Sequence, residues 1–503
     1  MSGRSKLANT SKVAMSLLTD ALQFQATHRE QLPALDLLSS RFDRFGSKVL
    51  NWRELSAVVR YLAGQLRLRF NQADPQSVPA NARLGHVIGN DPCDVLVALA
   101  CPVAGLVEVP IDRAAGAGFQ QACFAAADAA TLGHDEKRSL CCAAIEAAVS
   151  GTMSEPGPLR SLLAENDASL ILWTSGTADR PKGVVLSAGG LCCNAQAKWN
   201  AVPQTVADRR LTVLSIAHAY ARTCDLGTWL LSGCQLTIDR GYDGWLQQAP
   251  RVKPTLCNMV PSLAQRVQQR GDFAGDLRWL GCGGASMTED QFHAWSDRGV
   301  SVIQGYGLTE TGPVIASQSP QTSLPLLCGH LVDHWQYRLR DDVLQVRGPA
   351  TMLGYLGESG LMQNRIDSQG WLDTGDRVRI CQQSGQFEIL GRSDDQINLD
   401  NGYSLDPLLI ERAVAAIRGV RAAVVQPDPS GRHVRLWIEL DAETGTVEEV
   451  QLEAVLQGLP AWQRPQQFHA FTVPNNLRAE VYNFKGGMKR QQMYSYLDSI
   501  SVS

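Results

Sequence analysis

The sequence has no C-x-x-C pair, no excess of basic residues and no apolar run long enough to cross a bilayer. Its thirteen cysteines include two adjacent pairs, Cys141-Cys142 and Cys192-Cys193; the others stand singly in apolar stretches, as Cys101, Cys234 and Cys257 do. That spacing suits neither structural zinc nor a redox pair. It reads as small buried hydrophobes in a reducing cytosol. Lys plus Arg is 46 against 50 Asp plus Glu, a formal net charge of −4, which argues against a general nucleic-acid binder. The longest apolar run, Val95 to Val107, is interrupted by Pro102, so no transmembrane segment is expected. Arg4, Lys6 and Lys12 precede the first acid, Asp20, but neither an apolar core nor a cleavage signature follows, and a cytoplasmic location is expected. Internal repeats and low-complexity tracts are also missing.

What is present is an ordinary globular composition, 44% hydrophobic and 19% charged over 503 residues, enough for two to four domains. Asn51 to Leu66 places Leu55, Val58, Val59, Leu62 and Leu66 at helical spacing. Short apolar runs at Gly85–Ile88 and Gly105–Ile111, the second ending at Pro110, flank a helical stretch at Asp94–Ala100. This alternation predicts an α/β architecture with a largely parallel sheet. Further strand-like runs follow at Ser169–Trp173, Leu211–Ile216, Gln235–Ile238, Leu256–Val260 and Ser301–Ile303. Shorter ones at Gln345–Arg347, Val378–Cys381 and Phe387–Leu390 suggest a small antiparallel section. The polar stretch Arg392–Tyr403 reads as an exposed hinge. Beyond it a helix (Leu408–Ile417), strands (Ala422–Gln426, Val434–Leu440) and a helix (Val447–Leu459) suggest a small separate domain.

The most informative segment is Trp173-Thr174-Ser175-Gly176-Thr177-Ala178-Asp179-Arg180-Pro181-Lys182-Gly183. Hydroxyls, glycines and a lysine directly after an apolar strand make an anion nest for a polyphosphate. The spacing is not that of a Walker loop. The competing reading of the segment is a polar hairpin turn.

This loop resembles that of the adenylate-forming superfamily: acyl- and aryl-CoA synthetases, peptide-synthetase adenylation domains and luciferases. Ala178 and Asp179 stand where the family has Thr-Gly. Four further motifs fall in the family's order: Gly283-Gly284-Ala285, Gly305-Tyr306-Gly307-Leu308-Thr309-Glu310, Trp371-Leu372-Asp373-Thr374-Gly375-Asp376 and Gly391-Arg392-Ser393-Asp394-Asp395-Gln396-Ile397-Asn398. The resemblance extends over roughly residues 50 to 493. It implies a large N-terminal α/β domain with a β-rich section, residues 1–393, and a small mobile C-terminal α+β domain, residues 394–503.

The resemblance also implies roles. Thr174, Ser175, Gly176, Thr177 and Lys182 would hold ATP phosphates, and Gly283, Gly284 and Ala285 would lie beside adenine. Tyr306 would stack on the base, Thr309 would bond the α-phosphate and Glu310 would hold Mg²⁺. Asp376 would accept the ribose hydroxyls, Arg392 would donate to the same nucleotide, and Asp394 would be the hinge. The segment Ser215-Ile216-Ala217-His218-Ala219-Tyr220-Ala221-Arg222-Thr223 is similar to one in long-chain acyl-CoA synthetases, which would put His218 near the carboxylate entrance. No F-D-x-S pattern for an amino-acid substrate occurs. The expected reaction is therefore activation of a fatty or other hydrophobic acid to acyl-AMP, then transfer to CoA. A carrier-protein thiol is the alternative acceptor.

One departure stands out. In the family's terminal G-K-x-x-R pattern, Gly487 falls where the catalytic lysine belongs, with Lys485 and Lys489 two residues to either side. Three readings follow: either lysine takes over the role, adenylation is slow while the thioester step survives, or the chain binds nucleotide or acyl ligand without turnover. The sequence does not fix the oligomeric state.

Overall fold

The strands Arg83–Ile88 and Val107–Asp112 run parallel, each residue of one opposite a residue of the other from Arg83↔Val107 to Ile88↔Asp112. A computed structural model of the protein describes residues 15–38, 49–70, 79, 81–150, 158–174, 182–285, 287–357, 360–362, 365–399, 404–440, 449–460, 463–482 and 488–501. The parallel pair belongs to a seven-stranded sheet that continues through Ala168–Thr174, Lys182–Ser187, Gly354–Gly357 and Gly360–Met362. Its first half is parallel and its second antiparallel. Pro110 lies inside its strand rather than ending it. Pairing on the side of 168–174 is confined to Glu108↔Leu170, so the missing N–H of Pro110 forfeits no ladder bond there.

A nine-stranded sheet has a parallel centre, Ser301–Gly307, Trp279–Cys282, Leu256–Met259, Arg209–Thr212 and Gln235–Ile238. These strands read as apolar runs because both faces are covered. The helix Trp52–Phe70 buries Leu55, Val58, Val59, Leu62 and Leu66 on one face, as its spacing predicts. The helix expected at 94–100 runs Pro92–Ala104. Asp91 caps it by accepting from Cys93 N at 2.8 Å, and Pro102 lies in its last turn. The strands Gln336–Arg340, Val343–Arg347, Leu372–Ile380 and Phe387–Arg392 form the expected antiparallel section. The cysteines are all unpaired and most are buried.

The stretch read as an exposed hinge is partly packed. Ile397 and Leu399 are buried with Leu405, Ile410, Val414 and Leu436 in a core that, among the described residues, contains none before 397. Apolar side chains at two positions hold the segment against the C-terminal strands Val420–Pro427, Val434–Leu440 and Gln467–Phe471. Among the described residues, no helix is long and apolar enough to cross a membrane.

Candidate active site

The polar loop joins two antiparallel strands, with Thr174 opposite Lys182 in register. A strand–loop–strand hairpin, not the strand–loop–helix of a Walker site, therefore carries it. Ser175, Gly176 and Thr177 lie outside the described residues. Lys182 is exposed, and its Nζ stands 5.7 Å from the centre of the Tyr355 ring.

Tyr355 leads to the next motif. Its strand pairs with the hairpin through Tyr355↔Val184, and its Oη donates to Glu310 Oε1 at 2.7 Å. Arg365 Nη1 lies 3.6 Å from the same oxygen. Burial and then Glu310 push the Tyr355 phenol up to about 12, so it stays a donor. Thr309 and Glu310 sit on a short 3₁₀ turn after the strand Ser301–Gly307. Thr223 Oγ1 ties that turn down by donating to Gly312 O at 2.6 Å.

The third group joins three distant motifs. Tyr306 Oη donates to Asp376 Oδ2 at 2.5 Å, and Arg392 Nη1 donates to Asp376 Oδ1 at 3.1 Å and to Thr374 O at 2.9 Å. Burial, then Asp376, holds the Tyr306 phenol well above its usual value. Burial also pushes the Asp376 carboxyl up, against the opposing pull of Arg392. Arg392 Nε donates to Asp394 Oδ1 at 3.1 Å. Gly375, at φ +69°, lets the groups meet. A Cβ there would stand 2.7 Å from Arg392 Nη2 and 3.1 Å from Arg365 Nη2. The Tyr306–Asp376–Arg392 cluster and the Glu310–Tyr355–Arg365 cluster are thus contiguous.

The third wall contains His218 and the glycine turn. His218 Nε2 is 3.6 Å from Asp112 Oδ2. Asp112 is anchored by Arg240 Nη2 and Ala114 N, each at 2.7 Å. Burial would raise its carboxyl, but hydrogen bonds from Ser215 and Arg240 outweigh it and hold Asp112 below its usual value. Gly283 faces the Tyr220 ring, which a Cβ would meet at 3.2 Å; Gly284 has φ +85°, and Ala285 is exposed. Arg222 turns inward instead: it donates to Glu108 Oε1 at 2.7 Å, alongside His86 at 2.9 Å. It is a buried counter-ion.

The AMP-binding enzyme family profile matches residues 22–356. The chain belongs to the AMP-binding enzyme family. It is 27% identical over 451 residues to a feruloyl-CoA synthase of an Amycolatopsis species, covering 82% of this chain and 88% of that one. It is also 27% identical over 316 residues to a long-chain-fatty-acid–CoA ligase of Yersinia pestis, covering 56% of this chain and 55% of that one. The fold matches ATP-bound MatB from Rhodopseudomonas palustris with a TM-score of 0.77 at 21% identity, covering 95% of this chain and 99% of that one.

As an enzyme of the AMP-binding family, the protein is expected to meet Mg²⁺ with its nucleotide. No group of three or more His, Cys, Asp or Glu poised to hold a metal occurs among the described residues. Glu310 is a buried carboxylate, with Arg365 Nη1 at 3.6 Å and the Tyr355 hydroxyl both on its Oε1. That donor set fits a Mg²⁺ that keeps its waters and arrives on substrate phosphates, and does not fit an all-protein cage.

At the C-terminus, Lys485 and Gly487 lie outside the described residues. Lys489 lines a cleft of about 1040 Å³ whose other walls include Gly116, Phe119, Ser262 and Tyr482. Tyr355, Arg365, Asp112 and Arg240 escaped the sequence reading. Each acts through a partner far away in the chain, and only the glycine before Tyr355 hints at a close approach.

Proposed function

We propose that the protein is an AMP-forming ligase that activates a carboxylic acid with ATP and passes the acyl group to the thiol of CoA. The observation that supports this best is the cluster Tyr306–Asp376–Arg392, contiguous through Gly375 with Arg365, Glu310, Tyr355 and Lys182. Relatives named as CoA ligases support the acceptor.

A carboxylate resists attack because its leaving group would be oxide. Attack of the carboxylate oxygen on the α-phosphorus of ATP forms the acyl–phosphate bond and expels pyrophosphate; the thiol then displaces AMP. Charge gathers on phosphate oxygens, so fixed donors and cations supply most of the acceleration. In this reading Lys182 and the loop residues Thr174, Ser175, Gly176 and Thr177 bind the departing phosphates, and Thr309 bonds the α-phosphate. A Mg²⁺ carried by ATP and held at Glu310 would neutralise phosphate charge. Asp376 binds the ribose: each of its oxygens already accepts one bond, and a carboxylate has about four lone-pair sites. Tyr306 and the turn Gly283–Ala285 flank adenine.

His218, steadied by Asp112, stands at the acid's entrance. The acid is hydrophobic over most of its length, as feruloyl and fatty acids are. Lys489, on the interdomain cleft, takes the part of the lysine that Gly487 replaces, with Lys485 as the other candidate. The chain divides at Asp394 into residues 1–393 and a moving lid, 394–503.

The test is pyrophosphate release by the purified protein with ATP, Mg²⁺ and short, medium, long-chain and aromatic acids, with and without CoA. Acid-dependent release, with turnover raised by CoA, is expected. Release dependent on a carrier protein instead would change the acceptor. Silence with every acid, relieved by Gly487→Lys, would favour a scaffold lacking one cation; silence in both would sink the ligase reading.

A further inference from the structure

Four parallel strands end around His218. Arg83–Ile88 and Val107–Asp112 belong to the seven-stranded sheet, Arg209–Thr212 and Gln235–Ile238 to the nine-stranded one. Open α/β sheets take their ligands outside the carboxyl ends of such strands. His218 lies just past one of these ends, on a stretch, residues 213–218, that belongs to no strand or helix. Its place therefore depends on what ties that stretch down.

Asn90, two residues after Ile88, supplies the buried tether. Its Nδ2 spends both hydrogens, on Leu214 O and Asp239 O at 2.8 Å each, and its Oδ1 accepts from Ile216 N at 3.0 Å. One amide thus joins three of the four strand ends. Asp112, at the fourth, supplies a second tether by accepting from the Ser215 hydroxyl. It also accepts from Arg240 Nη2 at 2.7 Å, and Arg240 N donates to Asp239 Oδ1 at 2.8 Å, which closes the circuit. His218 stands between the two tethers. Its Nε2 is 3.6 Å from Asp112 Oδ2, just beyond hydrogen-bond length, so a small shift of the stretch decides whether the two groups bond. Asn90 itself is fully buried and has φ +66°, a backbone that asparagine takes more readily than most residues. Aspartate would tolerate that backbone but set an acceptor against two carbonyls.

We propose that Asn90 is a positioning residue for the use of the acid: it touches no substrate, and it sets the place of His218 over the strand ends by holding Leu214 and Ile216. The inference rests on the ligase reading and on His218 standing at the acid's entrance. Without the amide, the stretch loses its buried tether and keeps the one from Ser215 to Asp112. A misplacement of about 1 Å can cost about 10²-fold in rate.

The test uses the full chain, pyrophosphate release, and whichever of the short, medium, long-chain and aromatic acids the wild-type protein uses best. Asn90→Gly suits it, since glycine keeps the left-handed backbone and removes only the amide. The expected result is a loss of about tenfold or more in kcat/KM for the acid. ATP affinity, read by calorimetry, should stay within about twofold of wild type. Positioning needs the residue it positions, so in a His218→Ala background the same change should cost no more than about twofold. If Asn90→Gly does not fold, Ser215→Ala, which cuts the other tether, should show the same loss and the same dependence on His218. Losses that multiply in the double variant would overturn the proposal, because a merely structural asparagine costs the same with or without His218. So would wild-type kcat/KM in the folded variant, an equal loss of ATP affinity, or a His218→Ala variant as active as wild type. Release by the wild-type protein with none of the acids would instead overturn the ligase reading beneath it.

Discussion

Asp376 accepts from a phenol and a guanidinium at once, and a hydrogen bond to a charged group contributes about 1.5–3 kcal/mol. Asp376→Asn should therefore weaken ATP binding about 10- to 100-fold, and Tyr306→Phe less, by calorimetric titration; unchanged affinity in both would move the sugar subsite elsewhere. Glu108 makes a different prediction. Burial would raise its carboxyl, but Arg222 and then His86 outweigh that and hold it below its ordinary value of 4.5. A depressed acid stabilises the fold above its unfolded pKa, and this contribution is lost as pH falls through the folded value. Glu108→Gln should flatten the acid limb of stability below about pH 4.5, and at pH 7 it should cost about 3–5 kcal/mol because Arg222 is left unpaired. Thermal melts across pH would check both; an unchanged acid limb would refute the assignment. Nothing near Glu108 in sequence could announce this pair, since Arg222 lies 114 positions away. That is why Arg222, read beside His218 as part of an acid-side signature, proves to be an internal counter-ion.

At the scale of elements, the hairpin register sets the site. Thr174↔Lys182 and Val184↔Tyr355 carry the lysine and the tyrosine on adjacent strands, so their spacing follows from the pleat. Gly375→Ala would force a side chain into left-handed backbone and against Arg392. A loss of about 1–2 kcal/mol is expected from the backbone alone, together with weaker ATP binding; wild-type affinity in this variant would show that the two arginines need no such gap. The strands at 83–88, 107–112 and 168–174 were legible because burial on both faces writes itself as an apolar run. The motif order carried the family and the candidate groups Tyr306, Glu310, Asp376 and Arg392. What stayed illegible were residues whose meaning is a distant contact: Tyr355, Arg365, and Ile397 with Leu399 in a stretch whose polar neighbours suggested exposure.

Over the whole molecule, the C-terminal part carries its own apolar interior. One cluster is built on Val414, Val425 and Leu436, another on Val424, Trp437, Met493 and Leu497. It also touches the rest through polar contacts, such as Arg377 Nη1 with Asp406 Oδ2 at 3.3 Å and Arg412 Nη1 donating to Ile389 O at 2.8 Å. Units with separate cores and polar junctions unfold separately. Calorimetry should resolve two transitions, and the fragment 394–503 alone should reproduce the smaller; a single transition would argue for one cooperative unit. The wide turn Arg222–Gly227, a π-helical segment, reaches across the remainder. From it Arg222 engages Glu108, Thr223 engages Gly312 and Asp225 engages Arg210, one contact in each of three directions. Such a turn holds one residue more than an α-helix would. Deleting Cys224 would rewind the segment and turn Asp225 by about 100° relative to Arg222 and Thr223, so the three anchors could no longer be held together. The molecule should absorb gained or lost residues in its surface loops across evolutionary time, yet keep the length of this one stretch fixed.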